Sequence, residues 1–489
     1  HLAVNRGNAG ARTAFTVTLE KMARGGVYDQ LAGGFHRYSV DERWIVPHFE
    51  KMLYDNSELL RNYVHGWQSL GREEFRETAR EIVGWLDSTM TDRERGGFYA
   101  SQDADVGLDD DGDYFTWTRE ETRAALDDAE FEFAADYWEI NTVGDMHHNP
   151  AKNVLHVDVT LEERAAKGGP DIEALRRLRV SARRKLLAAR AERTTPFIDR
   201  TLYTSWNAMA ATAYFEAARI SGMEGCRDFA LQTVNRLLEE AWDGAAALRH
   251  VIAYPEGERP VTHALGTLDD YAFTIHACID AWLASGEMKY YRAAVTLADA
   301  MIAAFYDRAG GGFFDTPATG DGTGQAALGA LSARRKPFQD SPTPAGNPTA
   351  ASALLRLEAL SGREDYRNIA QDTLACFAGV AEHFGLYAGA YGLALERLLL
   401  DPVQAIVIGA GPEAEELEST ANADWAANKT VIRIDLAHLA PGQLPEAIQE
   451  TVLAAPAPAG AKAWALVCRG RTCLPPVSSA EGLRQALHL

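Results

Sequence analysis

Apolar residues recur every three or four positions through most of the first 400 residues, which is the spacing of a buried helix face. The pattern predicts helical hairpins, each with an outer helix, a long polar loop, an inner helix and a short return. Outer helices are predicted to begin near Thr13, Glu73, Ile172, Arg227, Lys289 and Glu364, and inner helices near His48, Arg119, Trp206, Asp269, Gly346 and Gly389. This number of hairpins is the one that an (α/α)6 barrel requires.

Glycine-rich loops recur between these helices. They read GGVYDQLAGGF from Gly25, GGFYASQDAD from Gly96, a degenerate WDGAAALRH from Trp242 and GGGFFD from Gly310. The loops follow one another at intervals of about 70 residues, with one interval twice as long. The hairpins therefore form a repeat.

The pattern changes near residue 401, where short apolar runs begin to alternate with amphipathic segments. PVQAIVIGA, TVIRIDL and WALVCRG predict strands, and EAEELESTANADWAA, LPEAIQETVLA and SSAEGLRQAL predict helices. The alternation predicts a small sheet of three parallel strands with helices. We therefore predict a mainly α fold, in which residues 1–400 form an (α/α)6 barrel and residues 401–489 form a small three-stranded α/β domain.

One cofactor motif lies in this last part of the chain. IVIGAGPEA matches the GxGxxA pattern of a dinucleotide site, and Asp435 ends the next predicted strand. About 88 residues cannot build the usual two-half dinucleotide fold, so we predict no cofactor.

The charge balance bears on the class of partner. The chain has 48 basic and 69 acidic residues, and its formal net charge of −21 repels nucleic-acid phosphates and anionic lipids. No apolar run is long enough to span a membrane, and the first residues carry no signal pattern. We therefore expect a small-molecule ligand and neither a nucleic-acid nor a membrane partner.

Five cysteines in 489 residues do not make a disulfide framework, so we expect a reducing, cytoplasmic location. Cys468 and Cys473 are close in sequence, but their spacing is neither the CxxC redox pattern nor a common zinc spacing. The aspartates of QDADVGLDDDGD lack the glycine and glutamate offsets of an EF-hand. We predict no metal site and leave a redox or metal role of the two cysteines open.

Histidines, aromatic residues and charges are concentrated in GGVYDQLAGGFHRYSVDERWIVPHFEKMLYDN, from Gly25 to Asn56. An inner helix is predicted to begin near Pro47, which places these polar residues at its first turns. SWN, LDDY and AGNP open three other inner helices. Because every long loop joins an outer helix to an inner one, the loops and the inner N-termini should share one face and form a pocket there. Helix capping is the alternative explanation, since Ser, Asp and Asn are preferred N-caps.

Read in order, GGVYDQLAGGFHRYSVDERWIVPHFEKMLYDNSEL, GGFYASQDAD, LDDYAF and VCRGRTCLPP resemble the spermatogenesis-associated thioredoxin-like family. The resemblance covers nearly the whole chain. It implies an N-terminal thioredoxin-like domain, an (α/α)6 barrel similar to N-acylglucosamine 2-epimerases and six-hairpin glycosidases, and a small C-terminal α/β piece. The thioredoxin-like domain and the barrel helix expected before His1 are missing here, so we expect no redox activity of that domain.

The leading hypothesis is a carbohydrate-active barrel, either a sugar epimerase or isomerase or a glycoside hydrolase. Proton transfer near neutral pH suits histidine, whereas glycoside hydrolysis needs two carboxylates. The candidate catalytic residues are His36, His48, Glu50, His263, Asp269 and Asp270. The candidate substrate-binding residues are Arg37, Trp44, Lys51, Asp55, Asp103, Asp105, Trp206, Asn207, Tyr271 and Asn347.

The alternative is a non-catalytic barrel that binds a ligand or a partner and serves the thioredoxin-like domain. We expect His36, His48, Trp206 and Asp269 to lie near one cavity, and residues 402–489 to stay outside it. His48 is the predicted base, because a helix N-terminus would keep its imidazole neutral. The substrate and the oligomeric state stay open.

Overall fold

The computed structural model describes residues 2–107, 111–167, 171–220, 222–252, 264–317, 333–423, 425–439 and 442–488. The chain divides into two compact units. The N-terminal unit consists of Asn8–Arg93 and Phe98–Arg200, and the C-terminal unit consists of His1–Gly7, Glu94–Gly97 and Thr201–Leu489. The predicted domain boundary between residues 400 and 401 lies inside the C-terminal unit and stays a prediction.

The helices of the N-terminal unit form hairpins, as the periodicity predicts. They are α1 (Ala9–Arg24), α2 (Leu53–Leu70), α3 (Glu73–Thr89), α4 (Arg119–Ala125), α5 (Asp128–Tyr137), α6 (Leu161–Ala166) and α7 (Ile172–Ala191). α2 packs against α3, and α1 contacts both. α7 packs against α4, α5 and α6. α4 begins at Arg119, where an inner helix is predicted, and the stretch that follows is divided between α4 and α5.

The inner helix α2 begins at Leu53 and not near Pro47. The residues before it are extended: β1 (Tyr38–Ser39) pairs with β2 (Pro47–His48), and β3 (Lys51–Met52), β4 (Ser101–Gln102) and β5 (Ile198–Asp199) form an antiparallel sheet. In these strands the backbone N–H and C=O groups bond to a neighbouring strand, so they are not available for the hydrogen bonds of a helix. The prediction that His48, Glu50 and Lys51 occupy the first helical turns is therefore wrong, and Asp55 alone of this group lies there.

The C-terminal unit continues the helical hairpins. Its first helices are α8 (Thr204–Ala217), α9 (Gly225–Arg236), α10 (Leu268–Ser285), α11 (Met288–Phe305), α12 (Gly346–Ser361), α13 (Glu364–Phe377), α14 (Ala381–Phe384) and α15 (Gly389–Leu399), and two short strands, β6 (Leu202–Tyr203) and β7 (Val251–Ile252), pair beside α8. α8 pairs with α9, α10 with α11 and α12 with α13, while α10 lies between α8 and α12. Because α8, α10 and α12 have neighbours on several sides, they are apolar around most of their circumference.

The chain is thus mainly α-helical, with the outer and inner hairpins of the (α/α)6 class and a small α/β segment at its C-terminal end, as predicted. None of the described helices combines the length and the apolar composition of a membrane-spanning segment.

Each glycine-rich loop returns to its outer helix through an isolated β-bridge. The bridges join Tyr28 to Phe35, Thr91 to Phe98, Trp242 to Leu248 and Tyr306 to Phe313. The glycines before the second partner have positive φ, as at Gly33, where φ is 80°. A Cβ on Gly33 would lie 2.4 Å from the carbonyl oxygen of Glu81 in α3, so the loop needs glycine to lie against that helix.

A mixed sheet follows the helical hairpins. It contains β8 (Val403–Gly409), β9 (Lys429–Ile434), β10 (Ala463–Arg469) and β11 (Thr472–Cys473), with α16 (Pro412–Asn422), α17 (Glu446–Ala454) and α18 (Ala480–His488). The order is β11-β10-β8-β9; β8 and β9 are parallel, whereas β10 is antiparallel to β8 and to β11. The prediction of three parallel strands is therefore wrong. α17 precedes β10 and packs against α12, and β10 then enters the sheet antiparallel to β8.

The β10–β11 hairpin also brings two cysteines close enough to form a disulfide bond. Cys468 and Cys473 are direct partners in its register and are joined by a disulfide bond. Cys226, Cys278 and Cys376 are not in disulfide bonds among the described residues. The sequence spacing alone did not predict the bond, because it depends on a tight turn between two paired strands.

Candidate functional site

In the N-terminal unit, a hairpin and the start of α2 bring several candidate residues together. His48 is the partner of Tyr38 in the β1–β2 register, and the two rings stack with centroids 5.1 Å apart. His48 Nδ1 is buried and has no hydrogen-bond partner among the described residues, and it lies 3.9 Å from Glu50 Oε2. Since His48 is on a strand, the helix-terminus argument for its neutral imidazole no longer applies.

Asp55 is a buried carboxyl with an unusual titration in the first turn of α2. Burial raises the pKa of Asp55 to about 7; the charge of Glu50 adds to the shift, and Arg37 opposes it. Arg37 Nη1 donates to Glu50 Oε2 over 2.9 Å, and Asp55 Oδ2 is buried without a hydrogen-bond partner among the described residues. This carboxyl can therefore give or take a proton near neutral pH.

Asp103 joins this carboxylate group through the small sheet. Lys51 pairs with Gln102, so the preceding Glu50 comes beside the following Asp103. Burial and then the Glu50 charge raise the pKa of Asp103. Asp105, in contrast, accepts a hydrogen bond from the Gly112 N–H over 3.0 Å and shapes the loop.

His36 and Lys51 are enclosed in the core of the N-terminal unit. His36 Nδ1 donates to the Phe49 carbonyl over 2.7 Å, and its ring meets Phe49 and Phe115 edge-on. Lys51 is completely buried and donates to Asp29 over 2.8 Å. Burial lowers the pKa of His36 to about 3 and that of Lys51 to about 8. Both side chains are used in packing, so we leave them out of the chemistry proposed below.

Two predicted site residues, Trp44 and His263, are not placed in either group of candidate residues. Trp44 lies in the loop between β1 and β2, is 42% exposed and has a positive φ of 63°. His263 lies outside the described residues.

In the C-terminal unit, Asp270 is a structural capping residue. Its Oδ1 accepts from the Ser205 N–H at the start of α8 over 3.0 Å, and its Oδ2 accepts from the Thr267 N–H and hydroxyl over 2.8 and 3.0 Å. Oδ2 also accepts from His250 Nδ1 over 2.7 Å. With both oxygens occupied and the side chain buried, Asp270 is placed to orient other groups and not to meet a ligand.

His250 is the functional candidate that the sequence reasoning missed. The bond from its Nδ1 to Asp270 fixes the ring, leaves Nε2 as the atom that can exchange a proton and raises the pKa of His250. The side chain is 34% exposed. Its ring lies 5.5 Å from that of Tyr203, which in turn lies 4.4 Å from Trp206.

Asp269 completes this second group. Burial, and then the charge of Asp270, raise the pKa of Asp269 to about 7. Its carboxylate lies over the start of α12: a Cβ on Gly346 would come within 2.3 Å of Asp269 Oδ1. Glycine at that position leaves room for the carboxylate.

Three predicted substrate-binding residues bond to the backbone instead, and two of them, Asn347 and Tyr271, bond to glycine-rich loops. Asn347 accepts from the Phe313 N–H over 2.6 Å and donates to its carbonyl over 2.8 Å. Tyr271 likewise accepts from the Leu248 N–H over 3.0 Å. Asn207 donates to a carbonyl one turn before it over 3.0 Å. These side chains clamp backbone, so their polar groups are already used.

The site candidates therefore form two groups. Arg37, His48, Glu50, Asp55 and Asp103 lie in the N-terminal unit, and Trp206, Asp269 and Asp270 lie with His250 in the C-terminal unit. The expectation that His36, His48, Trp206 and Asp269 share a cavity concerns both units and stays a prediction. Among the described residues, no group of three or more His, Cys, Asp or Glu side chains is arranged to hold a metal ion.

A cleft of about 490 Å³ in the N-terminal unit is lined by neither group. Its walls are arginines and glutamates that already pair with each other, as Arg183 does with Glu81 and Arg176 with Glu162. We base no function on its volume, because its charged groups are satisfied internally.

Comparison with curated proteins finds homologues over most of the chain. Spermatogenesis-associated protein 20 of Homo sapiens is 28% identical over 501 aligned residues, which cover 96% of this chain and 62% of that protein. The Mus musculus protein of the same name is 30% identical over 398 residues, which cover 74% of this chain and 48% of that protein. The chain thus spans between about half and two thirds of the length of these relatives.

Comparison with solved structures finds sugar enzymes at low similarity. A D-mannose isomerase matches with 14% identity and a TM-score of 0.43, covering 78% of this chain and 70% of that one. A cellobiose 2-epimerase from Bacillus thermoamylovorans matches with 11% identity and a TM-score of 0.43, covering 79% and 85%. Similarity at this level supports no inference about activity. No protein-family model matches the chain. The curated relatives nevertheless confirm the resemblance drawn from the motifs: the chain is a homologue of the proteins named spermatogenesis-associated protein 20.

Proposed function

We propose that this protein acts on a sugar or a related polyhydroxyl compound by acid–base chemistry of the epimerase or isomerase kind. The proposed site is the group formed by Trp206, His250 and Asp269 in the C-terminal unit. One observation carries the proposal: a carboxyl with a pKa of about 7 stands beside a histidine whose ring is fixed by a buried aspartate.

Moving a proton between carbon and solvent requires a base to remove it and an acid to return it or to protonate oxygen. Burial raises the pKa of Asp269 to about 7, close to the pH at which a group can serve in either role. His250 exchanges its proton at Nε2, because Nδ1 is held by Asp270. The neighbouring Tyr203 and Trp206 rings offer an apolar face on which the C–H groups of a sugar can stack.

The test is to incubate the protein with free and N-acetylated sugars in deuterated water and to follow deuterium bound to carbon by NMR. Asp269→Asn and His250→Gln should each lower exchange by at least about 100-fold. Asp228→Asn on α9 and His383→Gln on α14 are matched controls at exposed positions and should exchange like wild type. Undiminished exchange in Asp269→Asn would remove this carboxyl from the mechanism.

A second candidate function, glycoside hydrolysis, is favoured by Asp55 and Glu50 in the N-terminal unit. Hydrolysis needs a protonated carboxylic acid near a second, ionised carboxylate. Asp55, with its pKa of about 7, suits the acid, and Glu50 suits its partner. Asp55→Asn should then abolish release of a chromophore from aryl glycosides, with the exposed Asp128→Asn as its control.

Non-catalytic binding is the outcome left if neither assay shows turnover. Sugar binding measured by calorimetry, without exchange or hydrolysis, would support that alternative. A cytoplasmic location and the absence of nucleic-acid and membrane partners stay predictions.

A further inference from the structure

The Cys468–Cys473 disulfide lies at the edge of the C-terminal sheet. The two residues are direct partners across the β10–β11 hairpin, and β11 is the edge strand. The intervening turn contains Gly470 with a positive φ of 56°. The bond therefore closes a short surface loop and does not cross the core.

The two cysteine residues differ in exposure. The Cys468 side chain is 2% exposed, on the buried strand β10, whereas Cys473 is exposed on β11. A nucleophile arriving from solvent can reach Cys473, while Cys468 is shielded by the sheet. This asymmetry selects one sulfur for attack and the other as the leaving group.

Opening the bond would leave the sheet in place. β10 pairs with β8 over the whole strand, from Ala463 to Arg469, and β11 adds only two residues at the edge. A disulfide that closes so short a loop also restricts the unfolded chain less than one closing a long loop. We therefore expect the segment to stay folded when the bond opens.

We propose that Cys468–Cys473 is a thiol–disulfide exchange site whose co-substrate is a dithiol. A thiolate of the dithiol attacks the Cys473 sulfur, the bond to Cys468 breaks, and Cys468 leaves as a thiolate that takes up a proton. The second thiol of the dithiol then attacks the mixed disulfide and releases Cys473 as a thiol. Two electrons and two protons pass to the protein, and the dithiol becomes a disulfide. This activity is independent of the sugar chemistry proposed above.

The first experiment uses the full chain with Cys376→Ser, which removes the exposed free thiol. The protein is equilibrated with mixtures of oxidised and reduced dithiothreitol, quenched with N-ethylmaleimide and analysed by peptide mass spectrometry. Cys468 and Cys473 should be unlabelled together in the oxidised mixtures and labelled together in the reduced ones, while circular dichroism stays unchanged. Labelling of both after oxidation, or protection of both in excess dithiothreitol, would overturn the proposal.

The second experiment tests the order of attack. In the same background, Cys468→Ser leaves Cys473 as the free thiol, and Cys473→Ser leaves Cys468. Cys473 should react with 5,5′-dithiobis(2-nitrobenzoate) at least about tenfold faster than Cys468, because reactivity follows access. Equal rates, or a faster Cys468, would contradict the assigned direction of attack.

Discussion

Replacement of His36 tests whether this histidine belongs to the core or to the chemistry. Its ring is 5% exposed, lies between Phe49 and Phe115, and donates from Nδ1 to the Phe49 carbonyl. Burial, and then the charge of Lys51, lower its pKa from 6.5 to about 3. Between pH 6.5 and about 3, His36 is therefore mostly neutral in the folded chain and mostly protonated in the unfolded chain.

The sign and size of the effect follow from this pair of pKa values. Between pH 6.5 and about 3 the unfolded chain binds one proton more than the folded chain, so the unfolding free energy falls as the pH falls. The loss is about 1.4 kcal/mol per pH unit, or about 2.5 kcal/mol between pH 7 and pH 4.5. His36→Gln cannot titrate, and its amide can still donate to the Phe49 carbonyl. The stability gap between wild type and variant should therefore shrink by about that amount in acid.

The assay is native-state hydrogen exchange at pH 7 and pH 4.5, read on amides of residues 27–35. A chain with two compact units is not expected to unfold in one step, so a local probe of the N-terminal unit is needed. His383→Gln is the control, because this histidine is exposed. An equal difference in unfolding free energy between wild type and His36→Gln at both pH values would refute the inference that His36 is buried in its neutral form. Loss of sugar turnover in His36→Gln at unchanged stability would return His36 to the catalytic candidates.

Three further substitutions test how buried polar groups are satisfied. Asp29→Asn should lower the unfolding free energy of the N-terminal unit by about 3–5 kcal/mol, read by native-state hydrogen exchange, because it leaves Lys51 and Arg190 buried without their counter-charge. A loss below about 1 kcal/mol would contradict this. Asn347→Ala should lower the unfolding free energy by at least about 2 kcal/mol and speed hydrogen exchange of the GGGFFD amides, because it leaves the Phe313 N–H and carbonyl without their partner. Unchanged exchange rates of these amides would show that the Asn347 bonds are dispensable. Asp55→Asn should stabilise the chain by up to about 4 kcal/mol above pH 7 and have no effect below pH 4, because the raised pKa of Asp55 makes the unfolding free energy fall as its carboxyl ionises. Equal melting shifts at pH 4 and pH 8 would exclude this.

Helix starts could be predicted wherever the apolar periodicity was uninterrupted. The starts expected near Glu73, Ile172, Glu364, Gly346 and Gly389 coincide with those in the structure. The start expected near Pro47 is displaced to Leu53, because Pro47–His48 pairs with β1 earlier in the same loop and Lys51–Met52 pairs with β4, which is distant in sequence. Periodicity contains no information about that pairing, so the error falls where tertiary contacts replace local ones.

The sequence could not predict which of two neighbouring carboxyl groups is available to a ligand. Asp269 and Asp270 are adjacent and have the same side chain. Both carboxylate oxygens of Asp270 accept hydrogen bonds, whereas the pKa of Asp269 is raised to about 7. The difference arises from Ser205 and His250, which belong to other elements. The LDDY motif therefore marks the right helix start without telling which carboxyl is available.

One feature of the repeat would have found His250 in the sequence. In three loops, the carbonyl two residues after the bridging residue accepts the N–H of the first residue of an inner helix. Ala100 accepts from Leu53 of α2, His250 from Thr204 of α8, and Asp315 from Leu268 of α10.

This backbone bond fixes the same loop position at an inner helix start each time, whatever side chain the position has. Alanine at position 100 adds no chemistry, Asp315 adds a charge that contributes to the raised pKa of Asp269, and His250 adds a group that can transfer a proton. WDGAAALRH is degenerate at its glycines, but counting two residues from Leu248, the equivalent of the GGF phenylalanine, leads to His250. The repeat thus places one loop residue at the start of an inner helix each time. Its side chain can differ from loop to loop, because the hydrogen bond that holds the residue there is made by its backbone carbonyl.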